Sequence, residues 1–203
     1  MMPADTKIDL VLNVIRLAEY AHRNRPQGPH FRKAPPRQDR ACYFVHPAEV
    51  AWLLADAGCS HEVVAAGYLH DVIEDCGYTT EQLADEIGNT YVAELVEWVS
   101  RPNATAPDRL KPALEIRNSN YLERIKRAPI DALNLSCADK TANLREMCHW
   151  SKKGYLVDEF TSRDHSTQLV KFIALNEVFH DKVIPQIYTR FQNTLASFQG
   201  LGQ

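Results

Sequence analysis

Apolar residues recur every three or four positions along nearly all of this 203-residue chain, and no alternating run of convincing length interrupts them. That period belongs to helices rather than strands, so the sequence predicts an all-α protein. Punctuation sets the expected bounds. Residues 6–22 place Ile8, Val11, Leu12, Ile15, Ala18 and His22 at helical spacing, with Thr6 and Asp9 as a capping start. Pro26, Gly28, Pro29, Pro35 and Pro36 forbid a helix between Arg23 and Arg40. Pro47 fits the first turn of a helix that runs to Gly58. Ser60 is placed to cap HEVVAAGYLHDVIEDC as one helix ending at Gly77, and Thr79 with Gln82 forms a capping box for a helix stopping at Gly88. Asn89 starts TYVAELVEWVS, and a polar stretch with Pro102, Pro107 and Pro112 precedes a short helix near 115–127. Pro129 opens IDALNLSCADKTANLREM, and helices near 165–182 and 185–198 finish a chain expected to form one domain.

Composition excludes more than it assigns. The formal net charge is −3, which argues against a general nucleic-acid binder. The first residues, MMPADTKIDL, hold an acid and no long apolar run, unlike a secretory signal, and no run of about 18 apolar residues suggests a membrane helix. Cys42, Cys59, Cys76, Cys137 and Cys148 are odd in number and form no CxxC pair, so reduced thiols in a cytoplasmic protein are expected.

The residues with chemistry lie in three separated strings: His46–Pro47, HDVIED at 70–75, and ADKTAN at 138–143. On a continuous helix His70, Asp71, Glu74 and Asp75 share an arc of roughly 140°, opposite an apolar stripe of Val63, Ala66, Leu69 and Ile73. One imidazole and three carboxylates on one face repel one another unless a cation or solvent compensates. A metal site and a solvated acidic helix end both satisfy that requirement. His46 by itself reads as a packing or capping residue. Asp139 lies among Ala132, Leu133, Leu135, Ala138, Ala142 and Leu144, so it needs a partner, which Lys140 or Arg145 would supply as a salt bridge.

Taken together, the three strings resemble the HD-domain metal-dependent phosphohydrolases, whose signature is H…HD…D. The finer resemblance is to the Rel/SpoT-type hydrolase domain in its single-domain form, the small alarmone hydrolases. FRK (31–33), YFVHPAEVA (43–51), AAGYLHDVIEDCGYTTEQL (65–83) and CADKTANLREM (137–147) carry it, over about residues 8–150. The resemblance implies an HD-type helical bundle in which His46, His70, Asp71 and Asp139 hold one divalent metal, usually Mn²⁺. It also implies that Glu74 and Asp75 orient and deprotonate water, with pKa values raised by their acidic neighbours. Arg32 and Lys33 would contact the nucleotide, and Asn143 would hydrogen-bond the nucleoside. Without the resemblance, Arg32 and Lys33 read as a solvated loop.

The implied substrate is ppGpp or pppGpp, cleaved at its 3′ position to GDP or GTP plus pyrophosphate. The chain leaves no room for the synthetase or regulatory domains of the long Rel/SpoT enzymes, so a hydrolase alone is expected. Two other readings stay open: an HD phosphohydrolase for another phosphorylated nucleotide, such as an adenosine 3′-pyrophosphate analogue or a nucleotide phosphomonoester, and a non-catalytic alarmone-binding regulator. The departures from the family pattern bear on that choice. They are a longer basic loop with Arg37 and Arg40, Cys42 in place of a proline, Ser136 in place of a lysine, and a long connection over about 101–120. Charge is also uneven. Six cations against one carboxylate lie between Ala21 and Arg40, whereas His70 to Glu86 holds Asp71, Glu74, Asp75, Glu81, Asp85 and Glu86 with no Lys or Arg. An acidic wall facing a basic loop would suit a cation that grips a polyphosphate.

Overall fold

The computed structural model describes residues 4–101 and 114–201. The expected prolines Pro102, Pro107 and Pro112 lie outside the described residues. Helices follow in the order α1 (Ala4–Arg23), α2 (Val45–Asp56), α3 (His61–Leu69), α4 (Val72–Cys76), α5 (Thr80–Ile87), α6 (Thr90–Val99), α7 (Leu114–Ile125), α8 (Ile130–Ser151), α9 (His165–Phe179) and α10 (Pro185–Gly200). The fold is all-α. Among the described residues the extended pairing is one isolated antiparallel bridge, Phe31 to Cys42, which closes the loop between α1 and α2. None of the described helices is long and apolar enough to cross a membrane.

Capping chemistry sets most boundaries. The Ser60 hydroxyl accepts from the Val63 amide, the Asn89 carboxamide oxygen accepts from the Val92 amide, and Thr79 and Gln82 make both bonds of a capping box. Two expectations fail, each for a physical reason. First, α1 already runs at Ala4, so Thr6 lies within the helix and is not its cap. Its buried face is Leu10, Val14, Ala18 and Ala21, while Ile8 and Leu12 stay 55% and 45% exposed. The helix carries two apolar stripes, and packing against α3 selects one of them.

Second, residues 61–76 are not one helix. It breaks at His70 and Asp71, which cap α3 and α4 respectively. The His70 ring donates from Nδ1 to the Gly67 carbonyl at 2.8 Å. A regular helix would offer that carbonyl to the Asp71 amide. The side chain therefore competes with the backbone where the helix ends, and the break redirects His70 and Asp71.

Helix α8 is the axis of the bundle, packed against α2, α3, α6 and α10. Burial on nearly all sides requires side chains that are apolar or small all round, and the run ALNLSCADKTANL has that character. The phenylalanines of the C-terminal third (Phe160, Phe172, Phe179, Phe191 and Phe198) are all buried. Helices α2 and α3 cross closely at Gly67. A Cβ there would lie 2.9 Å from Leu54 Cδ1 and 3.0 Å from the Ala51 Cα. Leu54 can shift, but the α2 backbone cannot. Gly67→Ala is therefore expected to lower stability by about 1–3 kcal/mol, because overpacking outweighs a helix-propensity gain of about 0.5–1 kcal/mol. Urea denaturation checks this, and a variant as stable as the parent would contradict the close crossing.

Candidate metal centre

Four elements deliver the candidate ligands: the first turn of α2 (His46), the end of α3 (His70), the start of α4 (Asp71) and the middle of α8 (Asp139). Ligand atoms of His46, His70 and Asp139 lie within 4.8 Å of one another, and all three residues are buried. His46 Nε2 is 3.1 Å from Asp139 Oδ1, and His70 Nε2 is 3.7 Å from the same oxygen. Asp71 closes the group, with Oδ2 at 2.9 Å from His70 Nε2 and 3.8 Å from His46 Nε2. The Tyr43 hydroxyl donates to that same Asp71 oxygen.

The electrostatics call for positive charge at this point. Burial disfavours a charged His70, yet Asp71 and Asp139 hold its pKa up to about 9. Burial lowers the pKa of His46, which favours the neutral, ligating form of its ring. Burial also opposes ionisation of Asp139, but Lys140 and His46 carry its carboxyl well below the usual range. Lys140 Nζ sits 2.5 Å from Asp139 Oδ2. The donor set fits a divalent cation. With Nδ1–H of His70 committed to a backbone carbonyl, Nε2 is the nitrogen that faces the site, and a divalent cation would take the place of its proton.

Glu74 and Asp75 stand one turn beyond, on α4, and differ in their surroundings. Glu74 is tied to Arg101, whose Nη1 lies 2.8 Å from Oε1 and whose backbone amide reaches Oε2 at 3.3 Å. Among the described residues no Lys or Arg pairs with Asp75. Burial, then Asp71 and Glu74, push its pKa up to about 7.

A cavity of about 310 Å³ opens over these groups. Arg32, Lys33, Arg101, Lys140, Arg163 and Lys171 line it. Arg32 is not a solvated loop residue. Its Nε donates to Glu146 Oε1 at 3.1 Å and its Nη2 to Asn143 Oδ1 at 3.3 Å, while its guanidinium lies 5.3 Å from the centre of the Tyr43 ring. Asn143 in turn donates to Asp139 Oδ1 at 2.5 Å, which links Arg32 to the candidate ligand. Lys33 is exposed at the rim.

Several site residues escaped the sequence reading. Glu146 follows Asp139 and Asn143 at i+7 and i+3, so helical spacing already put it on their face. Arg101, and Phe160 to Lys171 of the C-terminal third, had no such signal, since only folding brings them to the cavity. The acidic wall is also smaller than its sequence suggested. Asp71, Glu74 and Asp75 line the cavity, whereas Glu81, Asp85 and Glu86 are exposed on α5. Arg145, one of two partners considered for Asp139, pairs with Glu49 instead.

A helical bundle with a two-histidine, two-carboxylate centre, buried at His46, His70 and Asp139, beneath a cation-lined cavity defines a class of metal-site protein. A family model described as HD domain matches residues 29–159, and the chain belongs to the HD-domain family. HD-domain hydrolases bind a divalent metal, and the His46, His70 and Asp139 cluster can hold one. The chain is 36% identical over 105 residues to the guanosine-3′,5′-bis(diphosphate) 3′-pyrophosphohydrolase of Haemophilus influenzae, covering 52% of this chain and 15% of that protein. It is 33% identical over 107 residues to the bifunctional (p)ppGpp synthase/hydrolase SpoT of Escherichia coli, with the same coverage. The matched segment thus spans about 15% of the length of these curated relatives. Among solved structures, a metazoan SpoT ortholog that hydrolyses ppGpp superposes with a TM-score of 0.71 at 19% identity, over 99% of both chains. A Listeria monocytogenes protein superposes at 0.64 and 25% identity, over 79% of this chain and 98% of that one.

Proposed function

We infer that this chain is a metal-dependent (p)ppGpp 3′-pyrophosphohydrolase, which adds water across the 3′ phosphoester to release pyrophosphate and GDP or GTP. The observation that carries this reading is the convergence of His46, His70, Asp71 and Asp139 under a cavity whose other wall is cationic. A divalent ion on those four residues supplies Lewis-acid chemistry at the phosphate, and two imidazoles with two carboxylates suit Mn²⁺. Asp75, with a pKa near neutrality, accepts the proton of the attacking water. Glu74, braced by Arg101, orients that water. Arg32 and Lys33 bind the nucleotide at the rim, and Asn143 positions Arg32 and hydrogen-bonds the nucleoside. Lys140, Lys171 and Arg101 line the cavity where the polyphosphate charge would lie.

The deciding experiment incubates the purified protein with ppGpp and Mn²⁺ and identifies the products. GDP plus pyrophosphate supports the reading. No product with metal bound overturns it, and orthophosphate release points to a phosphomonoesterase. Arg32→Lys keeps the charge but loses the planar fork held by Glu146 and Asn143. One charge-assisted hydrogen bond is worth about 1.5–3 kcal/mol, so KM for ppGpp is expected to rise at least about tenfold in steady-state kinetics.

A further inference from the structure

Beside Tyr43 a second cluster gathers His22 at the end of α1, His30 in the proline-rich loop, and Asp75 on α4; His30, Tyr43 and Asp75 line the same cavity as the HD centre. Ligand atoms of His22, His30 and Asp75 lie within 4.8 Å of one another. His22 is buried, and the other two are half-buried. His22 Nδ1 is 3.3 Å from His30 Nδ1, and His30 Nδ1 is 3.7 Å from Asp75 Oδ2. Cys76 Sγ lies 3.4 Å from His22 Nδ1. The backbone holds this arrangement in place. The His30 amide donates to the His22 carbonyl at 2.9 Å, the Tyr43 amide donates to the His30 carbonyl at 3.0 Å, and the His30 ring stacks on Tyr43 with centroids 3.6 Å apart.

Hydrogen bonding alone does not satisfy these contacts. A neutral imidazole offers one proton and one lone pair, on different nitrogens. His22 Nδ1 is approached by both His30 and Cys76, and His30 Nδ1 by both His22 and Asp75. A proton donated from His30 to His22 leaves the Asp75 oxygen 3.7 Å from His30 Nδ1, beyond hydrogen-bond reach. His22 Nε2 is buried with no hydrogen-bond partner, so the ring's polar interactions all pass through Nδ1. A cation at the centre accepts the two Nδ1 lone pairs and the Asp75 oxygen at once, with the ring protons on the Nε2 atoms. The spacing also suits one. Metal–nitrogen bonds of about 2.0–2.1 Å at tetrahedral angles give an edge of about 3.4 Å. Burial keeps both rings neutral at physiological pH, with pKa values near 4 and 3, which is the ligating form.

We propose that His22, His30 and Asp75 form a second metal site beside the HD centre, for a borderline ion such as Zn²⁺ or Co²⁺; an ion there engages the carboxylate assigned above as the base, so the proposal rests on that reading with this site empty during hydrolysis. Mixed imidazole and carboxylate donors with a thiol alongside select that class over Mg²⁺ or Ca²⁺. Three protein ligands leave a fourth position for water or for the Cys76 thiol, which would lose its proton to solvent on binding.

The test is Zn²⁺ stoichiometry of the metal-stripped full chain, re-loaded, dialysed and measured by elemental analysis. The expected result is two ions per chain in the parent, one in His30→Ala, one in Asp139→Ala and none in the double variant. His30→Gln, which keeps a polar side chain in the loop, is expected to match His30→Ala, and circular dichroism verifies that each variant is folded. Long-range ¹H–¹⁵N spectra should show the Nδ1 signals of His22 and His30 shifting on Zn²⁺ addition in the parent and in Asp139→Ala. An ion count that both His30 variants leave unchanged overturns the proposal. Failure of the HD centre to bind metal would appear separately, as unchanged stoichiometry in Asp139→Ala.

Discussion

Asp139→Ala is expected to empty the HD centre and to lower ppGpp hydrolysis by at least about 10³-fold. Asp139 faces four partners at once: His46 at 3.1 Å, His70 at 3.7 Å, Lys140 at 2.5 Å and the Asn143 amide at 2.5 Å. Removing it takes one candidate ligand from the metal and uncouples Asn143, and through it Arg32, from the centre. Lewis-acid stabilisation of a phosphoryl transition state is worth several kcal/mol, and each 1.36 kcal/mol is tenfold in rate. Stability falls as well. The Lys140 ammonium loses its carboxylate, and breaking a buried pair on one side costs about 3–5 kcal/mol. Part of this returns, because Asp71 no longer has a second carboxylate beside it. Asp139→Asn separates the two effects, since it keeps shape and hydrogen bonding while giving up the charge. The checks are metal content, product formation and thermal melting of the same preparations. Retained metal with full activity would remove Asp139 from the centre.

Asp75→Asn is expected to reduce kcat by about 10²–10⁴-fold with the metal of the HD centre unchanged, the range for loss of a positioned general base. The distinction from Glu74 rests on surroundings: Arg101 holds Glu74, while Asp75 is buried beside other carboxylates with its pKa up to about 7. A base works when deprotonated, so kcat/KM should fall about tenfold per pH unit as pH drops below the Asp75 pKa, and level off above it. A divalent cation next to Asp71 favours the Asp75 carboxylate, which places the inflection at or below about 7. The acidic limb should vanish in Asp75→Asn. A variant that keeps the parent profile and more than about a tenth of its rate would assign the base elsewhere. Kinetics at fixed Mn²⁺ with no added zinc keep the cluster of His22, His30 and Asp75 free of zinc during this measurement.

Helix identity was legible in the sequence because each helix announces itself locally. Ser60, Thr79, Asn89 and Pro129 act within one turn of where they stand. The apolar runs of α8 and α10 have a period that only a helix can use. The buried face of α1 was not legible, because two stripes compete and only α3 chooses between them. The break at His70 was hidden too, since every residue there tolerates a helix. What ends it is the His70 ring taking the Gly67 carbonyl, which depends on the ring being drawn toward Asp71 and Asp139.

The candidate site divides the same way. His46, the His70–Asp71 pair, Glu74, Asp75 and Asp139 could be chosen from the chain because short strings with matching residue types mark them. Their meeting could not, since 93 residues separate His46 from its closest carboxylate partner. Sequence alone determined that this chain is helical and which side chains carry chemistry, because caps, periodicity and motif strings act over a few residues. Tertiary structure decided the rest. It bound Arg32 to Glu146 and Asn143, brought Arg101 and Lys171 to the cavity, and set His30 against His22, because charge and hydrogen bonding act through space between residues that no local pattern relates.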